Sequence, residues 1–255
     1  MNPFPYSLDN KRYHTYNYFL KMKYHTKVAK ASLNADFTCP NRDGNKAYGG
    51  CTFCSSLGSG DFAGDINQSL MEQFQSQKVM ISNKWPDCRF IAYFQAFTNT
   101  YAPLDSLKKR FEPFANLDEV AGIAIATRAD CVTEEIASYL EELDTRKDVY
   151  VELGLQTIHD KTASLINRQE TFEEFKNGLN LLRKHHLHVC VHIINGLPYE
   201  TINMMVETAK EIGKMDIQAI KIHSLYLTYH SVLYQQYLKN PFPLLTRDDY
   251  IHLIV

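Results

Sequence analysis

In the stretch Val149-Tyr-Val-Glu-Leu-Gly-Leu-Gln156, Val149, Val151, Leu153 and Leu155 share one face of an extended chain, and Tyr150, Glu152, Gly154 and Gln156 share the other. It reads as a buried strand with a carboxylate in its middle. Comparable apolar runs recur at 31–37, 90–97, 120–126, 189–194 and 219–227, about every 30 to 40 residues after a first interval of 59. Between them lie segments with helical spacing of apolar residues, at 66–81, 104–114, 133–143, 171–185 and 202–215, and Thr171 with Glu174 makes a capping box. Strand, helix and strand in alternation is the pattern of βα units feeding a parallel sheet. The expected fold is α/β: a partial (β/α)6 TIM-like barrel of parallel strands with outer helices.

Strands covered on both faces are normally apolar throughout, and a charge among them is costly unless it serves a site. Here the exceptions fall in step. His188, Cys190 and His192 share a face of the fifth strand, Lys221 and His223 a face of the sixth, and Gln95 follows the same pattern on the second. If the sheet curls with its apolar faces under the helices, these side chains converge on one polar lumen. Each alone also reads as a satisfied core residue; the set across four strands favours the lumen.

The chain has 255 residues, 27 Lys plus Arg, 29 Asp plus Glu and 45% hydrophobic residues, so it is an ordinary globular sequence and not a polycation. No apolar run approaches the roughly 18 residues of a membrane span, and the start holds no signal-peptide core. A cytoplasmic protein without membrane contact is expected. In that reducing compartment the six cysteines are read as free thiols or metal ligands. Three lie together after the first strand: Cys39-Pro-Asn-Arg-Asp-Gly leads to Gly49-Gly50-Cys51-Thr-Phe-Cys54, a C-x11-C-x2-C pattern on a polar, glycine-rich loop. Unrelated free cysteines leave the Cys51–Cys54 pair unexplained. Zinc needs a fourth ligand, and the nearest Cys or His on either side, His25 and Cys88, are remote in sequence. An iron–sulfur cluster on three cysteines leaves one iron open.

Those two cysteine phrases resemble the radical S-adenosylmethionine (SAM) superfamily, specifically a small bacterial group close to the Elongator catalytic-subunit-like and coproporphyrinogen-dehydrogenase-like enzymes. The resemblance implies that Cys39, Cys51 and Cys54 ligate a [4Fe–4S] cluster, that SAM fills the open iron site, and that reductive cleavage of SAM yields a 5′-deoxyadenosyl radical. It implies an electron donor such as flavodoxin or ferredoxin. Phe53 resembles the aromatic residue beside cluster and adenine. Gln95-Ala-Phe-Thr-Asn-Thr100 stands where relatives carry a glycine-rich SAM amino-group segment, without the glycines, which points to the Gln95, Thr98 and Asn99 side chains. Glu152 to Gln156 with Ile166-Asn167-Arg168 resembles the stretch that meets methionine and ribose, Arg168 being the choice for the SAM carboxylate. Asn195-Gly196-Leu-Pro198 resembles the adenine-facing turn, and Thr127-Arg128-Ala-Asp130 a Thr-Arg-Pro-Asp stretch of the Elongator-like relatives.

Residues 1–30 read as a separate N-terminal arm ahead of a barrel at 31–255. Lys11, Arg12, Lys21, Lys23, Lys27 and Lys30 interleave there with Phe4, Tyr6, Tyr13, Tyr16, Tyr18, Phe19 and Tyr24, a pattern suited to RNA or to a solvated face packed beside the barrel. With the resemblance, tRNA is the expected partner and the substituent of a wobble uridine the expected target. A small-molecule radical SAM enzyme and a zinc-stabilised RNA-binding module are the alternatives. At the other end, Thr246-Arg-Asp-Asp249 caps a helix of which Ile251, Leu253 and Ile254 begin an apolar face, so the chain reads as ending before its last elements.

Overall fold

A computed structural model of the chain describes residues 4–58 and 60–255. Its centre is a sheet of six parallel strands in sequential order: β1 (Val28–Leu33), β2 (Arg89–Phe94), β3 (Val120–Thr127), β4 (Asp148–Gln156), β5 (His188–Asn195) and β6 (Ala219–Ser224). The helices are α1 (Tyr16–Tyr24), α2 (Leu70–Ser82), α3 (Leu104–Ala115), α4 (Glu134–Asp144), α5 (Asp160–Leu165), α6 (Phe172–Lys184), α7 (Ile202–Ile212), α8 (Val232–Lys239) and α9 (Arg247–Ile254). The strands curl into a half-barrel with helices around it, as the alternation predicts.

The alternation within each strand decides which layer it serves. Leu33, Phe94, Ile123, Ile125, Val151 and Val189 face outward and pack, almost fully buried, against Phe74 of α2, Phe111 and Phe114 of α3, Leu140 of α4 and Phe175 of α6. Start signals seen in the sequence are realised: the Thr171–Glu174 capping box opens α6, and Thr246–Asp249 opens α9, whose residues stay outside the core.

Strand boundaries differ from the apolar runs where the backbone turns. β1 begins at Val28, inside the expected arm, because Val28 and Lys30 pair with Arg89 and Ile91. It ends at Leu33 because Asp36 has φ 54°, a left-handed conformation that stops a strand. β2 ends at Phe94 in the same way, ahead of Phe97 at φ 61°.

The N-terminal stretch is not free of the barrel. Residues 1–3 lie outside the described residues, but α1 crosses beneath the N-terminal ends of the strands, with Leu20 buried against Val28, Ile91, Ala121 and Ala124. Tyr24 donates its hydroxyl to Asp148 at 2.5 Å and meets the Tyr150 hydroxyl at 2.7 Å, while Lys23 pairs with Asp148 at 2.6 Å. His188 lies between Phe19 and Tyr150 rings. The amphipathic face is spent on closing the barrel from below.

Candidate active site

A cavity of about 390 Å³ opens at the C-terminal ends of the strands, and Cys39, Cys51 and Cys54 all line it. The loop that carries them is long, and its backbone is held by side chains rather than by a sheet. Asn41 Nδ2 donates to the Asn167 and Arg168 carbonyls at 2.6 and 2.7 Å, Asn167 Nδ2 to the Tyr48 and Gly50 carbonyls at 3.1 and 2.8 Å. Thr52 N–H reaches the Ile166 carbonyl at 2.9 Å. Gly49 and Gly50, both at φ +80°, supply the turn before Cys51 that other residues adopt only with strain. The cysteine loop is therefore fastened to residues 166–168, sequence neighbours of α5.

Next to it lies a buried charge network. Arg128, 2% exposed, grips Asp130 with Nε and Nη2 at 2.8 and 2.6 Å and donates to the Arg168 carbonyl at 2.9 Å. Arg168 pairs with Glu170 at 2.5 Å and donates to the Gly154 carbonyl. Burial opposes the charge on Asp130, but Arg128 and Lys46 outweigh it and hold its carboxyl well below the usual range. Cys51 gains from the same field. A hydrogen bond with Cys54, followed by the Arg168 and Arg128 charges, overcomes burial and holds its thiol below the usual range, which favours the thiolate.

Deeper in the lumen, Glu152 of β4 is the hub. Its Oε1 accepts from Lys30, its Oε2 lies 2.9 Å from His192 Nε2, and Lys221 Nζ stands 4.0 Å off. The His192 contact is close yet off the hydrogen-bond line, so Glu152 Oε2 and His192 Nε2 each lack an aligned partner. Burial works against the Glu152 charge; His192, Lys30 and Lys221 outweigh it and keep the carboxyl far below its ordinary value. His223 reaches His192 at 3.4 Å, and burial pushes it down to about 4.

The sequence-predicted residues divide accordingly. Phe53, Gln95, Thr98, Glu152, Gln156 and Arg168 line the cavity with the three cysteines. Asn99, Asn195 and Gly196 do not. Asn99 is wholly buried and donates to the Ala96 and Ala126 carbonyls, tying the end of β2 to β3. Asn195 is buried at the end of β5, and Gly196 at φ +88° turns the chain beyond it. Arg168 reaches the cavity with its charge already matched by Glu170. Gln156 is held at φ 72°, beside a register irregularity after Gly154, where an added Cβ would come 2.6 Å from Gln156 Nε2. Backbone strain of this kind at a cavity wall is kept only where surrounding structure enforces it.

Lys30 and Tyr93 escaped the sequence reading of the site. Period-two alternation places both inward, but in the sequence Lys30 reads as part of a basic arm and Tyr93 as part of an apolar run. Of that arm's cations, Lys23 is paired with Asp148, Lys27 donates to Asn17 at 2.6 Å and Lys30 is in the lumen. Lys11, Arg12 and Lys21 remain exposed.

A family model described as the Radical SAM superfamily matches residues 41–212. The chain belongs to that superfamily. Its members use SAM and an iron–sulfur cluster. This radical SAM protein is 52% identical over 253 residues to the uncharacterized protein YtqA of Bacillus subtilis (strain 168), covering 99% of this chain and 79% of that one. Over 59% of this chain and 30% of the other, it is 27% identical to a tRNA uridine(34) acetyltransferase of Methanocaldococcus infernus. The fold matches that of Methanocaldococcus infernus Elp3 lacking its N-terminus, with a TM-score of 0.64 at 18% identity, over 89% of this chain and 52% of that structure. The chain thus spans about half the length of that solved structure. Among the described residues, no helix is long and apolar enough to cross a membrane.

Proposed function

We propose that the chain is a radical SAM enzyme in which Cys39, Cys51 and Cys54 hold a [4Fe–4S] cluster and the adjoining cavity holds SAM. The observation that carries this is the meeting of three thiols in one cavity, one of them acidified beside two buried arginines. Among the described residues, no three His, Cys, Asp or Glu side chains stand close enough to enclose a single ion. A four-iron cube spreads its ligands over separate corners, and so suits the donor set better than tetrahedral zinc. When bound, the cluster supplies the electron that splits the SAM carbon–sulfur bond to methionine and a 5′-deoxyadenosyl radical. The protein's own part is to hold the thiolates, offset their charge through Arg128 and Arg168, and shield the lumen. Phe53, Gln95, Thr98, Gln156 and Arg168 are the side chains offered to SAM. A one-electron donor of the flavodoxin or ferredoxin kind and a reducing cytoplasm complete the scheme.

The substrate reading is a tRNA wobble uridine, supported by the likeness to a protein named as a tRNA uridine(34) acetyltransferase. A second reading, a small-molecule substrate, is favoured by the use of Lys23, Lys27, Tyr16 and Tyr24 in closing the barrel, which leaves a thin basic surface. Anaerobic reconstitution, iron and sulfide analysis, and an assay of 5′-deoxyadenosine with and without bulk tRNA test both. The parent is expected to bind close to four irons per chain and release 5′-deoxyadenosine; Cys51→Ala is expected to lose most of both. A Cys51→Ala protein that keeps them ends the proposal. Release that ignores tRNA, and tRNA binding unchanged in a Lys11→Gln/Arg12→Gln/Lys21→Gln variant, would favour the small molecule.

A further inference from the structure

Among the described residues, the lumen contains more positive charge than Glu152, the one carboxylate lining it, balances. Glu152 is committed to Lys30, with His192 beside its second oxygen. Lys221 enters from β6, beside His192 of β5, its alternate residues Ile220 and Ile222 pointing away from the lumen, and comes no closer to Glu152 than 4.0 Å. Its other neighbours are the Tyr93 ring at 5.7 Å, Lys30, the Cys190 thiol and the two histidines. None of these supplies a second negative charge: burial pushes the Cys190 thiol up to about 12. Burial also lowers the Lys221 ammonium, with the Glu152 charge opposing and Lys30 adding to the shift. Its side chain is 44% exposed, so water solvates the ammonium, and an anion entering the cavity meets a cation that has no close partner of its own.

We infer that this wall of the cavity receives an anionic group of the second substrate, a carboxylate or a phosphate, with Lys221 as its counter-ion and the His223 imidazole as a hydrogen-bond partner. His192, Lys221 and His223 line the same cavity as the cysteines, so an anion held there lies in the chamber where the proposed radical would form. A lysine serves as a point charge for either anion. The role as a substrate site rests on the radical SAM reading; the binding itself does not, and is measured without SAM cleavage.

The test is calorimetric titration of the anaerobically prepared protein with inorganic phosphate and, separately, with malonate, at constant ionic strength. Saturable binding of at least one is expected, phosphate alone identifying a phosphate site and malonate alone a carboxylate site. Lys221→Gln is expected to weaken it at least tenfold and Lys221→Arg to retain most of it. Lys210→Gln, on the exposed face of α7, should bind as the parent does. Circular dichroism checks each fold, and His223→Gln, expected to weaken binding severalfold, stands in should Lys221→Gln misfold. The inference is overturned if neither anion saturates the parent, or if folded Lys221→Gln and His223→Gln bind like the parent. Anion binding lost in Lys221→Gln alongside absent 5′-deoxyadenosine would leave this site standing and remove the radical reading.

Discussion

Arg128 shows how much one side chain carries. It is 2% exposed, neutralises Asp130, and holds the Arg168 carbonyl on the segment that anchors the cysteine loop. Removing one partner of a buried ion pair costs about 3–5 kcal/mol when the other is left uncompensated, and Lys46, 2.6 Å from Asp130, keeps the loss toward the lower end. Arg128→Met is expected to destabilise by that order in urea unfolding and to lower the iron retained per chain. His188 makes a different prediction. Burial pushes it down to about 4, below the 6.5 of a free imidazole, so between those values the unfolded chain binds the extra proton and stability falls as pH drops. The loss begins as pH passes below 6.5 and is complete near 4. His188→Phe, which keeps a ring between Phe19 and Tyr150, is expected to flatten the melting-temperature profile across that window; an unchanged slope would place the proton elsewhere.

The elements were legible to different degrees, for a physical reason. Strand–helix alternation and caps such as Thr171 and Glu174 are written in neighbouring residues, so the order of strands and helices could be read directly. Loop conformation depends on distant partners. Nothing adjacent to Cys39 announces that Asn41 bonds the carbonyls of residues 167 and 168, and nothing near Asn99 announces that its amide is used on Ala96 and Ala126 rather than in the cavity. Positive charge at Lys30 is visible, but whether it faces solvent or Glu152 depends on which residue begins β1. Gly178 shows the same dependence between elements. In α6 it faces the short 3-10 turn at Ala129–Cys131, and an added Cβ would lie 2.3 Å from the Ala129 carbonyl oxygen. Alanine there gains about 1 kcal/mol of helix propensity, but a backbone clash that close sits at the upper end of the about 1–3 kcal/mol overpacking range. Gly178→Ala is expected to lower the melting temperature, measured by circular dichroism.

Across the whole molecule, Gln95, Glu152, Gln156, His192, Lys221 and His223 do converge on one chamber, but Cys190 does not line it and His188 packs below it between the Phe19 and Tyr150 rings, where the separate basic arm is in part a lower wall. α1 shields the lumen through Leu20, which is 4% exposed. Leu20→Ala is expected to cost about 2–4 kcal/mol and to speed amide exchange in α1 before the strands. Uniform acceleration throughout would show the helix to be no separate unit. Without that plate the half-barrel becomes a sleeve open at both ends. Bulk water reaching Glu152 and Lys30 from underneath would raise the local dielectric and weaken their attraction. A peptide-bond cut between α1 and β1 would then dull the chamber's electrostatics without touching a residue inside it.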